Sequence, residues 1–138
     1  FRAAPSAGTF YPLELYALTK DGLYRYIPEG HKLENLSDRD LRGDLADAAL
    51  GQGSVASSAL DIVICAVYER VTSKYGQRGV RYVHIEAGHA AQNIHLQAVA
   101  LGLGSVPIGA FSDEGVQKTL GLPKDHEPLY IIPVGYTP

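Results

Sequence analysis

The sequence predicts one layered domain of α+β or α/β class, and three features carry that expectation. Two apolar runs, "DIVICAVYE" at 61–69 and "PLYIIPVGY" at 128–136, are too continuously hydrophobic for half-exposed strands and fit a sheet covered on both faces. A long Ala-rich helical stretch, "VRYVHIEAGHAAQNIHLQAVAL" at 80–101, lies between them. Helix and strand patterns interleave with no internal repeat and no linker, which is the pattern of a layered sandwich. At 138 residues the chain is long enough to bury one real core.

The chain opens with Pro5-Ser6-Ala7-Gly8, a turn-prone loop almost bare of side chain, ahead of a strand at 13–19, "LELYALT". Lys20-Asp21-Gly22 separates that strand from "LYRYI" at 23–27, and Asp-Gly between apolar runs is a strong hairpin signal. Pro28 to Asn35 reads as loop. Ser37 is placed to cap a helix over 38–51, with Leu41, Leu45, Ala48 and Ala49 on one face and Gly51 closing it. The strand at 61–69 precedes the helix at 80–101, which Gly102 and Gly104 end. "SVPIGAF" at 105–111 reads as a further strand, Ser112 caps a short helix over 113–120, and 128–136 is the last strand. Ala87, Ala90, Ala91 and Ala98 give the long helix a small-residue surface, which predicts close packing across a dimer interface.

The composition, 46% hydrophobic and 20% charged, is that of a folded globular chain and not a disordered one. The net charge is −3, and the 12 Lys and Arg residues are scattered. That leaves no electrostatic footprint for nucleic acid or an anionic lipid surface. No apolar stretch is long enough to span a bilayer and no signal peptide is visible, so no membrane partner is expected. The sole cysteine, Cys65, sits inside "DIVICAVY" and reads as a buried small hydrophobe. It has no partner for an internal disulfide, which predicts a cytoplasmic compartment. Met is absent, even at position 1, which predicts a processed, trimmed or partial product.

Several motifs fail on context. "GQGSVA" at 51–56 matches Gly-x-Gly-x-x-Ala, but a helix precedes it where the dinucleotide fingerprint needs a strand, so it reads as a turn. "GLGSVP" at 102–107 fails in the same way. Glu86-x-x-His89 has the spacing of a di-iron carboxylate–histidine pair, but the second copy and the two further Glu residues are missing. His84, His89 and His95 do not share the i, i+4 spacing of a zinc helix, so they read as surface or interface histidines, and no metal site is expected. Ser6 has no evident base partner in the sequence and no Gly-x-Ser-x-Gly elbow.

Three features then line up: the bare Pro5-Ser6-Ala7-Gly8 loop, the helix running through glycines into Pro107-Ile108-Gly109, and "SKYGQRGVRY" at 73–82. Together they resemble the FMN-dependent nitroreductase superfamily, and within it the SagB-type dehydrogenases, the thiazoline and oxazoline oxidases. The resemblance extends over "APSAGTFYPLELY", "GLYRY", the whole stretch from "DIVICAVYERVTSKYGQRG" to "GLGSVPIGAF", and "EPLYIIPVGY".

That resemblance implies an α+β fold, an α/β/α sandwich with a mostly antiparallel central sheet, assembled as a homodimer with an FMN at each end of the interface. It implies a cofactor set of Arg2, Pro5, Ser6, Ala7, Gly8, Pro107, Ile108, Gly109 and Ala110. The first loop packs on the flavin ring, usually from the partner subunit, where only small side chains allow close approach. The second stretch aims a backbone N–H at flavin N5. Lys74 and Tyr75 match the pair thought to handle protons in azole formation, although Lys-Tyr is also a common surface dipeptide. Arg78 and Arg81 bind phosphate or a substrate carboxylate, or are solvated helix ends. The implied activity is heterocycle oxidation in a peptide, or reduction of nitro compounds or quinones fed by NAD(P)H. The alternative is a flavin-fold dimer that has lost its cofactor and acts as a scaffold. The family's opening Arg-Arg-Ser-x-Arg segment and closing Arg or Lys have no counterpart within 1–138. The expectation is a single domain lacking those phosphate-binding segments.

Overall fold

The computed structural model describes all residues 1–138. Its centre is a six-stranded sheet: β1 (Leu13–Thr19), β2 (Gly22–Ile27), β3 (Lys32–Ser37), β4 (Leu60–Ala66), β5 (Gly104–Ser105) and β6 (Glu127–Gly135). The order is β3-β2-β1-β4-β6-β5 and every pairing is antiparallel. The Asp21-Gly22 hairpin joins β1 to β2, with Thr19 opposite Gly22. Glycine is required at that corner, because a Cβ would lie 2.3 Å from the Ser37 carbonyl oxygen.

Five helices cover the two faces: α1 (Arg42–Ala48), α2 (Gly53–Ser57), α3 (Glu69–Tyr75), α4 (Arg78–Ala100) and α5 (Asp113–Leu120). One face packs Tyr16, Leu18, Val63, Cys65 and Ile131 against Leu45 of α1, Val55 of α2 and Val116 of α5. The other packs Ile64, Ile132 and Val134 against Ala87, Ala91 and Ala98 of α4. Strand residues thus alternate between two cores, the period-2 signature of a buried sheet. Each large side chain buried this way contributes about 1.5–3 kcal/mol. Cys65 is fully buried, and burial pushes its thiol up to about 12, which suits a packing role.

Several local expectations need correction. Residues 32–37 form a strand, not a loop; β3 is an edge strand whose residues are nearly all exposed, so no apolar alternation marks it. Ser37 ends that strand and accepts a hydrogen bond from the Arg39 N–H, so it caps no helix. The helix foreseen over 38–51 is shorter, and the Gly-rich turn at 51–53 leads into α2, which the sequence reading lacked. The strand expected over 61–69 ends at Ala66, and Glu69 opens α3, a helix over Glu69–Tyr75. Pro107 interrupts 105–111, leaving only Ser105 in a strand, as the end of β5, and one bridge between Ile108 and Ile131.

The Ala surface also has a different use. Ala87, Ala91 and Ala98 are buried against their own sheet, letting α4 lie close to β4 and β6. The outward face of α4 carries Ile85 and, further on, Leu96 and Val99, which are 50%, 60% and 72% exposed. No helix is long and apolar enough to cross a membrane.

Candidate functional site

The chain enters β1 through a strained loop. Ser6 is extended, Ala7–Thr9 make one 3-10 turn, and Gly8 has φ +61°. A Cβ on Gly8 would lie 2.6 Å from the Phe10 ring and 2.9 Å from the Tyr75 hydroxyl. The bare loop is therefore matched to its own chain: it lies flat against Phe10 and Tyr75.

Tyr75 closes α3 and meets Phe10 edge-on at 6.2 Å and Tyr82 of α4 at 5.2 Å. The Lys74 Nζ stands 5.8 Å from the centre of each of the Phe10 and Tyr75 rings. Two candidate sets separated by some seventy positions, 5–8 and 74–75, thus share one wall. Arg2 lies 4.2 Å above the Tyr11 ring and forms no ion pair.

The second candidate strip runs beside β6. Ile108 is buried and exchanges backbone hydrogen bonds with Ile131 at 2.8 and 3.0 Å. Pro107, Gly109 and Ala110 are exposed, and the Gly109 and Ala110 N–H groups bond to no other group of the chain. Gln52 donates to the Ala110 carbonyl at 3.1 Å. A Cβ on Gly109 would meet only Tyr130, at 4.0 Å. No hydrogen bond joins this strip to the 5–8 loop within one chain. Arg78 and Arg81 are exposed at the start of α4, outside both strips.

Sequence reasoning missed the residues that hold the first loop. Ser6 Oγ donates to Glu86 Oε2 at 2.8 Å and accepts from the Tyr11 N–H at 3.0 Å. His89 Nδ1 donates to the Pro5 carbonyl at 3.1 Å. Glu86 is only 4% exposed; burial raises its carboxyl above the ordinary value, against the Ser6 hydrogen bond and the charges of His89 and Arg2. Below the loop, Glu14 binds Arg70 at 2.6 Å and Arg25 at 3.0 Å, and Arg70 also donates to the Tyr11 carbonyl. Burial works to raise Glu14, but the two guanidinium groups outweigh it and hold the carboxyl low. The Glu86-x-x-His89 spacing was visible, but its partners lie about eighty positions away, beyond any local pattern.

The chain is similar to several known proteins. A protein of Methanocaldococcus jannaschii named as a nitroreductase, MJ1384, is 45% identical over 141 residues, covering 98% of this chain and 70% of its own length. The microcin B17-processing protein McbC of Escherichia coli is 26% identical over 88% of this chain and 48% of its own. The NADPH-flavin oxidoreductase of Vibrio harveyi is 29% identical over 73% of this chain and 45% of its own. The chain thus spans about half the length of the latter two relatives.

Among solved structures, a nitroreductase-type protein of Anabaena variabilis superposes with a TM-score of 0.92 at 30% identity, over 97% of this chain and 29% of that one. The E. coli microcin synthetase McbBCD complex, solved with truncated pro-MccB17 bound, contains a chain matching at 0.89 and 26% identity, over all of this chain and 56% of that one. The Nitroreductase family profile covers residues 1–136, and with the antiparallel sheet and the 45% identity to MJ1384 it makes this chain a member of the nitroreductase family.

Proposed function

We propose that this chain is the catalytic domain of an FMN-dependent oxidoreductase of SagB type that oxidises a five-membered heterocycle in a peptide. Family membership supports the coarser reading, an oxidoreductase that works with flavin. The residues present suit such a group. Pro5, Gly8, Pro107, Gly109 and Ala110 are exposed, and each strip offers N–H donors with no partner in the chain, at Ala7 and Gly8 and at Gly109 and Ala110. Donors of that kind complement the acceptor-rich edge of a flat heteroaromatic ring. Pro5 to Gly8 and Pro107 to Ala110 would hold the ring, and Arg2, a cation with no carboxylate partner, would face the phosphate.

The finer reading rests on one observation: the Tyr75 hydroxyl lies against the Gly8 loop, and the Lys74 Nζ, a base as its free amine, stands 5.8 Å from the centre of the Tyr75 ring. Bound FMN supplies a hydride acceptor at N5. Removing hydride from a thiazoline leaves a proton on the adjacent carbon, and the protein must take it. Lys74 serves as that base and Tyr75 orients or relays, the positions their closeness to the loop supports. The likeness to McbC, named for microcin B17 processing, points the same way.

No hydrogen bond joins the two strips within one chain, which favours a homodimer in which each subunit lends its 5–8 loop to the other. The exposed apolar residues of α4 supply a surface for it. The test is Lys74→Ala. Heterocycle oxidation falls by about 10²–10⁴-fold, while FMN content and its reduction by NAD(P)H stay at wild-type levels. If oxidation is unchanged, or oxidation and flavin reduction fall together, the SagB-type reading is wrong.

A further inference from the structure

The loop at 5–11 is held in a shape that it would not keep alone. Thr9 and Tyr11 have φ values of 56° and 48°, the left-handed region that non-glycine residues rarely occupy. Strain of that kind persists only where surrounding contacts over-determine it. Three side chains of α3 and α4 supply those contacts: Arg70 to the Tyr11 carbonyl, Glu86 to the Ser6 hydroxyl, and His89 to the Pro5 carbonyl. Glu86 and His89 are three residues apart on α4 and so face the same way.

Ser6 is the hinge of this arrangement. Its hydroxyl gives its only proton to Glu86 and receives the Tyr11 N–H, so it ties the start of the loop to its end. That hydroxyl has no proton left to donate to a ligand. The groove of about 270 Å³ beside it is lined by residues 5–7 of the loop and by Tyr82, Glu86 and His89 of α4.

We propose that Glu86 is a positioning residue for the flavin-facing loop, acting through Ser6 to hold residues 5–11 in their strained, ligand-ready shape, with His89 as the second pin. Glu86 touches no reacting atom. The proposal rests on the flavin reading for its consequence, but the pinning itself is a property of the chain alone. A buried carboxylate that accepts one hydroxyl proton sets the loop, and the loop sets the distance of the Ser6-Ala7-Gly8 backbone from the ring. Loss of the acceptor frees Ser6 and releases the strain at Thr9 and Tyr11.

The test compares Glu86→Ala, Glu86→Gln and Ser6→Ala with wild type in two measurements. The first is amide hydrogen exchange of the flavin-free protein at Thr9, Phe10 and Tyr11, with Ile62 and Ile132 in the sheet as the fold control. The second is FMN dissociation, followed by quenching of flavin fluorescence. Glu86→Ala and Ser6→Ala are expected to speed exchange at the three loop amides and to weaken FMN binding, each on the order of tenfold. Sheet protection stays unchanged. Glu86→Gln keeps an oxygen acceptor for Ser6 and stays within about threefold of wild type in both.

Unchanged loop exchange in Glu86→Ala overturns the pinning. So does Glu86→Gln behaving like Glu86→Ala, since the charge and not the hydrogen bond would then be at work. If Glu86→Ala loses its sheet protection, Ser6→Ala decides by the same criteria. If wild type itself binds no FMN, the flavin reading fails while the exchange measurement still decides the pinning.

Discussion

Asp61→Asn tests the electrostatics of the core on the α1 side of the sheet. Asp61 lies on β4 opposite Leu18 and Pro133, is fully buried, and neither carboxylate oxygen has a hydrogen-bond partner. Arg42, whose charge favours the ionised form of Asp61, is committed elsewhere: it pairs with Asp40 at 2.7 Å and donates to the Ser58 carbonyl at 2.6 Å. Burial pushes the Asp61 carboxyl from 3.8 up to about 7. A folded-state value above the unfolded one means the contribution to stability is complete below about pH 4. It is lost as pH rises toward 7, and the loss is flat above that. At about 1.4 kcal/mol per pH unit, ionised Asp61 costs the fold about 4 kcal/mol above neutrality, of which about 3 kcal/mol accrues between pH 5 and pH 8. Asn is neutral throughout and keeps the shape, although its own amide also lacks a partner. Urea unfolding at the two pH values isolates the effect, because all other titrating groups cancel between variant and wild type. The stability of Asp61→Asn relative to wild type is expected to improve by about 3 kcal/mol from pH 5 to pH 8. A difference that does not change with pH refutes the reasoning.

Two glycine substitutions separate the strips. Gly109→Val keeps the fold, because a Cβ there meets only Tyr130 at 4.0 Å, but its branched side chain fills the space in front of a backbone donor. Flavin content of the purified variant is expected to fall sharply with an unchanged melting temperature, and full flavin content would show the strip to be structural. Gly8→Ala has the opposite profile, since φ +61° and the 2.6 Å approach to Phe10 penalise the apo-fold itself. It is expected to destabilise the flavin-free protein by about 1–2 kcal/mol in urea titration, and no loss would contradict the packing of the loop on Phe10 and Tyr75.

Elements with a strong local signal were legible in the sequence. Ser112 caps α5 by accepting from the Gly115 N–H, Gly121 closes that helix in the left-handed region, and the Asp-Gly hairpin forms as its residues dictate. β3 was not legible because an exposed edge strand, "KLENLS", needs no apolar face. α2 and α3 were missed because helices of five and seven residues take their stability from packing Val55 and Val71 and not from caps. The Ala positions of α4 were visible, but composition alone did not say which partner they approach, and they face their own sheet. For the site, the small residues at 5–8 announce a close backbone approach, which in the structure is made to Phe10 and Tyr75. The Ser6–Glu86 bond spans eighty positions and is visible only once α4 lies under the loop.

The most direct measurement of the central claim is the visible absorbance spectrum of the purified protein after saturation with FMN and removal of free cofactor. The expected spectrum shows flavin bands at about one FMN per chain, bleached on addition of NAD(P)H or of a reducing heterocycle substrate. A colourless protein that FMN cannot reconstitute would contradict it and leave the nitroreductase fold here as a scaffold.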